Sequence, residues 1–239
     1  MRIVHLDTVG STNDWIAAAA ARAEPDGTWV RADRQTEGRG RRGRAWTSEP
    51  GNLFASTLVR PQMGEAAPHQ LSFIAALALF DMAERYVARE RLSLKWPNDL
   101  LLDGIKCAGI LVEGRGARDQ PITIVGIGVN LSHHPDDTER PATSFPAQGI
   151  AAPDPAEAAE RLAASFAVRR ADWRDSGFAT IRSAWLARTA HKVGDPLEAR
   201  LANRTVSGAF AGLGPDGALQ LDRDGDITRI DAADVFPAR

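Results

Sequence analysis

The chain has 239 residues, of which 44% are hydrophobic and 25% are charged, and its 29 basic residues nearly balance 31 acidic ones. This composition is typical of a globular protein with one sizeable core, or one core and a small appendage, and charges interrupt the early apolar run too often for a signal peptide or a membrane span. Cys107 is the only cysteine, which excludes an internal disulfide and favours a reducing cytoplasm, and no histidine or cysteine cluster has the spacing of metal ligands.

The first third of the chain predicts one helix among strands. Ser11 and Asp14 have the spacing of a capping box, so a helix is expected to begin there and to continue to Arg22. Alternating or apolar runs bounded by turn residues predict strands at residues 3–6, 28–35 and 53–59.

Between the second and third predicted strands lies the arginine loop, which we define as residues 34–46, RQTEGRGRRGRAW. It contains five arginines and one acid, Glu37, although the overall composition predicts roughly one arginine in a window of this length. Its three glycines let backbone N–H groups approach an anion closely, and arginines offer planar donor forks for carboxylate or phosphate. The loop therefore predicts an anion-binding site.

Two alternatives for this loop have less support. GRGRRG matches the dinucleotide pattern G-x-G-x-x-G, but that pattern requires a helix to begin at the loop, whereas Pro50 and Gly51 precede another extended run. A nucleic-acid patch usually comes with a basic overall charge and interleaved aromatic residues, and the sequence has neither.

The middle of the chain predicts a buried helix and three central strands. Apolar residues recur at helical spacing from Pro68 to Glu90. Residues 93–102, 107–113 and 122–131 are short and richly apolar, as the central strands of one sheet are. Residues 132–153 contain four prolines and predict a loop.

The last third predicts two helices and then a second domain. Helical spacing returns at residues 155–173 and 177–190. After His191, tight turns separate short strands predicted at residues 196–201, 205–213, 218–221 and 227–230. We therefore predict an α+β core at residues 1–188 and a small β-barrel at residues 189–239.

Four further segments place polar groups beside glycines or at strand ends, where a ligand could contact them. They are Ser11-Thr12-Asn13, KWPND at 95–99, KCAGI at 106–110 and GIGVN at 126–130. Together with GRGRRGR, and in this order, they closely resemble the motifs of the biotin protein ligases over roughly residues 8–236. The resemblance implies an α+β fold with a mixed sheet flanked by helices, like the class II aminoacyl-tRNA synthetase core, followed by an SH3-like barrel.

The resemblance also implies a two-step ligation. Biotin and ATP, with Mg²⁺, give biotinyl-5′-AMP and pyrophosphate, and a lysine of a biotin carboxyl carrier protein or domain then takes the biotinyl group. A carboxylate that approaches a phosphate to about 4 Å meets repulsion on the order of 4 kcal/mol per charge pair at an effective dielectric near 20. Preorganised cations are the remedy, which agrees with the composition of the arginine loop.

The resemblance assigns roles to specific residues of this chain. Lys106, Arg41 and Asp99 are expected to be catalytic. Biotin is expected to contact Ser11, Thr12, Asn13, Gln35, Gly38, Arg39, Gly40, Arg41, Lys106, Gly109, Gly126 and Gly128. ATP and the adenylate are expected to contact Arg41, Arg42, Arg44, Trp46, Asn98, Lys106 and Asn130.

Several simpler roles stay open. Helix capping alone could explain Ser11, Thr12 and Asn13. Trp46 could be a core residue, and Asp99 could be an exposed turn residue. The chain uses arginine for nearly all its cations, so the lysines at 95 and 106 suggest a need for a compact ammonium, although Lys95 could be an ordinary surface cation. Phe145 is a suggestion for a ring that stacks on adenine.

The remaining expectations concern partners and motion. Only ten residues precede Ser11, so we expect no DNA-binding domain, no DNA partner and a monomer or weak homodimer. Residues 36–44 are expected to be disordered until ligand charge orders them. A lipoate-type ligase on a related fold and a nucleic-acid-binding module are the alternative functions.

Overall fold

Two β-sheets organise the part of the chain that the computed structural model describes, which is residues 2–61, 65, 68–117, 120–138 and 141–238. The first sheet consists of β1 Ile3–Val9, β2 Trp29–Gln35, β3 Leu53–Val59, β4 Leu92–Lys95, β5 Asp99–Leu102, β6 Ile105–Ala117 and β7 Gln120–Val129. Its order is β1-β2-β3-β7-β6-β5-β4, and only β1 and β2 pair in parallel. The predicted mixed sheet is confirmed.

The second sheet is antiparallel and comes after the helices. It consists of β8 Pro196–Arg200, β9 Thr205–Leu213, β10 Leu219–Arg223, β11 Asp226–Ile230 and β12 Asp234–Pro237, in the order β11-β10-β9-β8-β12. This arrangement is consistent with the predicted SH3-like domain. Strand β12 was not predicted from the sequence, because a four-residue run that ends in proline carries little strand signal.

In the described part of the chain, three helices cover the first sheet: α1 Thr12–Ala20, α2 Leu71–Ala83 and α3 Pro155–Leu186. On one face, Ile16 of α1 packs against Val30 and Leu58. On the other face, α2 lies between the sheet and α3, which explains why nearly all of its residues are buried and apolar. The same buried cluster continues into the second sheet, so both sheets share one core.

Two predicted elements are wrong in extent. Helix α2 ends at Ala83 rather than Glu90, because the amides of Arg85 and Tyr86 bond three residues back, to Met82 and Ala83, in a tightened turn. Residues 93–102 form a hairpin of β4 and β5 rather than one strand, since Pro97 has no N–H for a ladder. Strand β4 is consequently an edge strand and not a central one.

Helix α3 joins the two predicted helical segments across a break. Gly177 has φ 73° and ψ 175°, which is not helical and which a side chain would oppose. The predicted loop after β7 is confirmed where it is described, with one short 3₁₀ turn at Pro146–Gln148, and residues 139 and 140 of it lie outside the described residues. No helix in the described ranges combines the length and the apolarity that a membrane crossing requires.

Replacing Asp154 by alanine is expected to lower the free energy of unfolding by about 1 kcal/mol, because this residue caps the N-terminus of α3. Its carboxylate accepts hydrogen bonds from the backbone N–H groups of Glu157 at 3.0 Å and Ala156 at 2.8 Å, which lower its pKa. A depressed folded pKa stabilises the fold above the unfolded value, and this contribution disappears as pH falls through the folded value.

Urea unfolding over a pH series that descends from 7 measures the effect of this cap. Glu160→Ala, at an exposed position on the same helix, is the control variant. A stability difference between the two variants that stays constant with pH, or no difference at all, would contradict the assigned cap.

Candidate functional site

A cavity of about 260 Å³ opens where the start of α1, the arginine loop, strands β6 and β7, and the β4–β5 turn meet. Every residue that the resemblance assigned to catalysis, biotin or ATP lines this cavity, except Gly38 and Arg42. Asp234 of the second sheet also lines it, and the sequence did not predict this. Segments that are far apart in the chain are therefore brought together around one space.

Glycines form the floor of this cavity. Gly109 of β6 lies opposite Gly128 of β7, so two adjacent strands have no side chain there. A Cβ atom at Gly128 would lie 2.6 Å from the indole of Trp46, and one at Gly126 would lie 2.2 Å from Oδ1 of Asn13. Because real Cβ atoms almost never approach so closely, both positions require glycine for the observed packing.

One end of the cavity is polar and uncharged. The backbone N–H of Thr12 and its hydroxyl donate to Oε1 of Gln35, at 2.8 and 3.0 Å. The hydroxyl of Ser56 lies 2.7 Å from that of Thr12 and donates to Oδ1 of Asn13 at 2.6 Å. Thr12 and Asn13 are almost fully buried, so these groups keep fixed directions.

The predicted capping box at this end is wrong. Ser11 occupies the N-cap position of α1 with an extended backbone, but its side chain makes no capping hydrogen bond. Asp14 does not reach back to it, because its carboxylate is bound by Arg39. The Ser11 side chain is buried at the cavity wall and is available to a ligand.

The opposite side of the cavity contains an ammonium group. Nζ of Lys106 lies 2.6 Å from Oδ1 of Asp99 and 5.5 Å from the centre of the Trp46 ring. Asp99 is almost fully buried, so the simpler role of an exposed turn residue is excluded. Trp46 is half-buried and its Nε1 atom has no hydrogen-bond partner among the described residues, which makes it unlike an ordinary core tryptophan.

The arginines of the loop are bound in different ways. Arg41 donates to Oδ1 of Asn98 at 3.5 Å and to the carbonyl of Ala233 at 3.3 Å, and burial lowers the pKa of its guanidinium, which still remains a cation at neutral pH. Arg42 and Arg44 pair with the carboxylate of Asp234, at 3.4 and 3.2 Å. The loop thus contacts the second sheet as well as the first.

Residues 36–44 include a 3₁₀ turn at Arg41–Gly43. Gly38 lies behind the cavity wall, where a Cβ atom would meet Ser48 Oγ at 2.4 Å and the carbonyl of Trp46 at 2.7 Å. The expected disorder of this segment before ligands bind stays a prediction, since it concerns a comparison between two states.

The asparagines of KWPND and GIGVN are held by backbone groups. Asn98 donates to the carbonyl of Ile110 at 2.7 Å, and Asn130 donates to the carbonyl of Thr143 at 3.0 Å. The Thr143 amide in turn donates to the carbonyl of Lys106. Residues after β7 therefore fix the strand that carries the lysine.

Two sequence-based suggestions place residues outside the cavity. Phe145 is fully buried against Tyr86, with ring centroids 6.5 Å apart, so it is wrong as a candidate for stacking on adenine. Lys95 does not line the cavity, and its Nζ atom lies 5.7 Å from the centre of the Phe236 ring of β12. The suggested need for a compact ammonium therefore stays a prediction and concerns Lys106 alone.

The sequence-based reasoning missed Ser56, Glu113 and Asp234. A polar residue within the buried strand LFASTLV was a usable signal for Ser56, because an apolar strand has few reasons to contain a buried hydroxyl. Glu113 binds both Asn13 and Arg39, at 2.7 and 3.1 Å. Only the fold brings Glu113 and Asp234 to the site.

The cavity offers no ready-made magnesium site among its described residues. Asp99 and Asp234 are the carboxylates that line it, and both are engaged by cationic side chains. His5, Asp7 and Asp33 are close enough to one another to share an ion, but they belong to the β1 and β2 strands and do not line the cavity. The described residues of the cavity therefore do not fit a protein-bound metal ion.

A family model and a curated relative both match this chain to protein ligases. Residues 8–130 match the model of the Biotin/lipoate A/B protein ligase family. A biotin--[acetyl-CoA-carboxylase] ligase of Paracoccus denitrificans is 44% identical over 216 residues, which cover 87% of this chain and 89% of the relative.

Solved structures agree over the whole length. Biotin protein ligase from Aquifex aeolicus in complex with biotin and ATP superposes with a TM-score of 0.85 at 26% identity, covering 99% of each chain. Biotin protein ligase from Leishmania major in complex with biotinyl-5-AMP gives a TM-score of 0.67 at 25% identity, covering 97% of this chain and 99% of that one.

Proposed function

The chain belongs to the biotin/lipoate A/B protein ligase family, and from this premise we propose that it joins biotin to ATP and then to a lysine of a carrier protein. Its relatives and structural neighbours are biotin protein ligases, and ligase activity follows from that membership. The roles of individual residues, the acceptor and the second domain are proposals.

One observation carries the proposal: the cavity is neutral and rich in hydrogen-bonding groups at one end and cationic at the other. Thr12, Asn13 and Gln35 form the neutral end, whereas Arg41 and Lys106 supply positive charge. Biotin has the same asymmetry, with an uncharged ureido ring and a carboxylate tail. Lipoate has an apolar dithiolane ring in place of the ureido group, so buried polar groups at this end would lose their partners with lipoate.

In the first step, a biotin carboxylate oxygen attacks the α-phosphorus of ATP. A new C–O–P link forms, the P–O bond to the β-phosphate breaks, and pyrophosphate leaves. We assign to Lys106 and Arg41 the neutralisation of the two anions as they approach, because both cations are fixed before the reaction and partly buried. The indole of Trp46, which already lies beside the ammonium, is assigned to the nucleotide side.

In the second step, the amine of the acceptor lysine attacks the acyl carbon. A C–N bond forms, the C–O bond to phosphate breaks, and AMP leaves with the electron pair. Asp99 is assigned the orientation of the incoming amine, and its contact with Lys106 fixes the carboxylate direction. The amine must be uncharged to attack, and its nitrogen loses a proton once the C–N bond forms. We assign to the Asp99 carboxylate the acceptance of that proton, as a general base.

Biotin-dependent pyrophosphate release is the experiment that tests the function. Purified protein with Mg–ATP is expected to release pyrophosphate when biotin is added and not when lipoate is added. Equal release with lipoate would favour the lipoate-type alternative. Binding to nucleic acid with a steep salt dependence, together with no ATP turnover, would favour the alternative of a nucleic-acid-binding module.

Further proposals concern organisation and partners. We propose a boundary between residues 188 and 189, supported by the end of α3 at Leu186 and the start of β8 at Pro196. The proposed acceptor is a carrier protein or domain of a biotin-dependent carboxylase, as the name of the Paracoccus denitrificans relative suggests. A cytoplasmic location is proposed from the single cysteine, which is buried and whose pKa burial raises to about 12.

A further inference from the structure

We propose that the Arg39 guanidinium is a strap that fastens the arginine loop over the neutral end of the cavity, and that Glu113 is the positioning residue that holds both this strap and Asn13. The inference rests on the proposed function, because it concerns how the biotin end of that site is built. It assigns a role to Glu113, which lies behind the cavity wall and does not line it.

The Arg39 guanidinium is bound by two acidic side chains. Its two terminal nitrogens lie 2.6 and 2.7 Å from the two carboxylate oxygens of Asp14, a bidentate pair. One of them also lies 3.1 Å from Oε2 of Glu113. Asp14 belongs to α1 and Glu113 to β6, so one side chain of the loop is fastened to two separate elements of the core.

Neighbouring carboxylates balance the positive charge of the Arg39 guanidinium. Arg39 contacts two carboxylates, and its hydrogen bond to Asp14 raises the pKa of its guanidinium. Arg115, on the outer side, pairs with the same Asp14 and Glu113, so two cations face two anions. Arg39 therefore contributes no net positive charge to a ligand, in contrast to Arg41, whose hydrogen-bond partners are the uncharged side chain of Asn98 and the carbonyl of Ala233.

Hydrogen bonds to Glu113 and Ser56 fix the orientation of the Asn13 side-chain amide. Nδ2 of Asn13 donates to Glu113 at 2.7 Å, and Oδ1 accepts from the Ser56 hydroxyl at 2.6 Å. A carboxylate can only accept, so a reversed amide would bring oxygen against oxygen. Glu113 thus fixes which atom of Asn13 meets the floor of the cavity at Gly126.

Glu113→Gln separates these roles from general stability. The change keeps the size of the side chain but removes its charge, and the loop keeps all of its arginines. We expect a roughly tenfold rise in the KM for biotin, with kcat and the KM for ATP changed by less than about threefold, because only the ureido end is loosened. Trypsin is expected to cut the loop of the ligand-free variant faster than that of the ligand-free wild type, because weakening the Arg39–Glu113 contact shifts the free loop further toward the disordered state.

Two further variants complete the design. Arg39→Met should raise the KM for biotin by a similar factor, and combining it with Glu113→Gln should raise KM by less than the product of the two single effects, because both changes remove the Arg39–Glu113 contact. Asp103→Asn is the control variant, since Asp103 is an exposed bidentate partner of Arg91 and does not line the cavity. This change should alter neither the KM for biotin nor the rate at which trypsin cuts the loop.

A lower melting temperature of Glu113→Gln with an unchanged KM for biotin, or an unchanged rate of loop cleavage, would overturn the inference. Failure of the wild type to release pyrophosphate with biotin would instead overturn the proposed function. The cleavage comparison would then still test the strap, since it needs no substrate.

Discussion

Lys106→Ala is expected to lower the rate of biotin adenylation by roughly a hundredfold to a thousandfold, the usual cost of losing one preorganised donor of electrostatic stabilisation. Lys106 is the one lysine among the described residues that lines the cavity. Its Nζ atom lies 2.6 Å from Oδ1 of Asp99 and beside the Trp46 ring. Without it, the carboxylate and the α-phosphate must approach with Arg41 as the remaining cation assigned to their neutralisation. Steady-state pyrophosphate release and single-turnover adenylate formation both measure the loss.

A control and a second background make this result interpretable. Lys192→Ala changes an exposed lysine and should leave the rate unchanged. Lys106→Ala also leaves the buried carboxylate of Asp99 unpaired, so the same change is made in an Asp99→Asn protein. Recovery of adenylation in that double variant would show that the orphaned carboxylate, and not the missing cation, caused the defect.

Gly128→Ala is expected to lower the catalytic efficiency of adenylation by roughly tenfold to a hundredfold, since overpacking of a tight site typically costs about 1–3 kcal/mol. The added Cβ atom would lie 2.6 Å from the Trp46 indole, which must move. That ring lies next to the Lys106 ammonium, so its displacement reaches the reacting end of the site. Pyrophosphate release at varied biotin and ATP concentrations gives the efficiency.

Gly114→Ala is the matched control for this change. Gly114 belongs to the neighbouring strand β6, and a Cβ atom there would meet no other atom within 4 Å. In a Trp46→Ala background, Gly128→Ala should cost little more, because the clashing ring is gone. Equal activity of the two glycine variants, or full additivity with Trp46→Ala, would show that contact with the indole is not the cause.

The sequence predicted the elements whose signals are local. The strand at residues 53–59 and the helix break before Gly177 follow from short-range patterns of apolar residues and glycine. The arginine loop was recognisable because its charge and glycine content stand out from the chain. Resemblance to a family then placed the loop beside Lys106 and the glycine floor.

What the sequence did not predict depends on contacts between distant residues. Glu113 is 74 residues from Arg39, and Asp234 is 190 residues from Arg44, and neither pair has a local spacing rule. The predicted capping box failed for the same reason, since Asp14 is engaged by a distant arginine that replaces the local bond. Phe145 was misplaced because an aromatic residue in a loop can fill the core as readily as it can cover a ligand.

Trapping of the acyl adenylate with hydroxylamine tests most directly whether this cavity joins a carboxylate to the α-phosphate of ATP. The wild-type protein with biotin and Mg–ATP is predicted to form biotin hydroxamate, which requires both substrates and is nearly lost in Lys106→Ala. No hydroxamate from correctly folded wild-type protein, or undiminished hydroxamate from Lys106→Ala, would contradict the account.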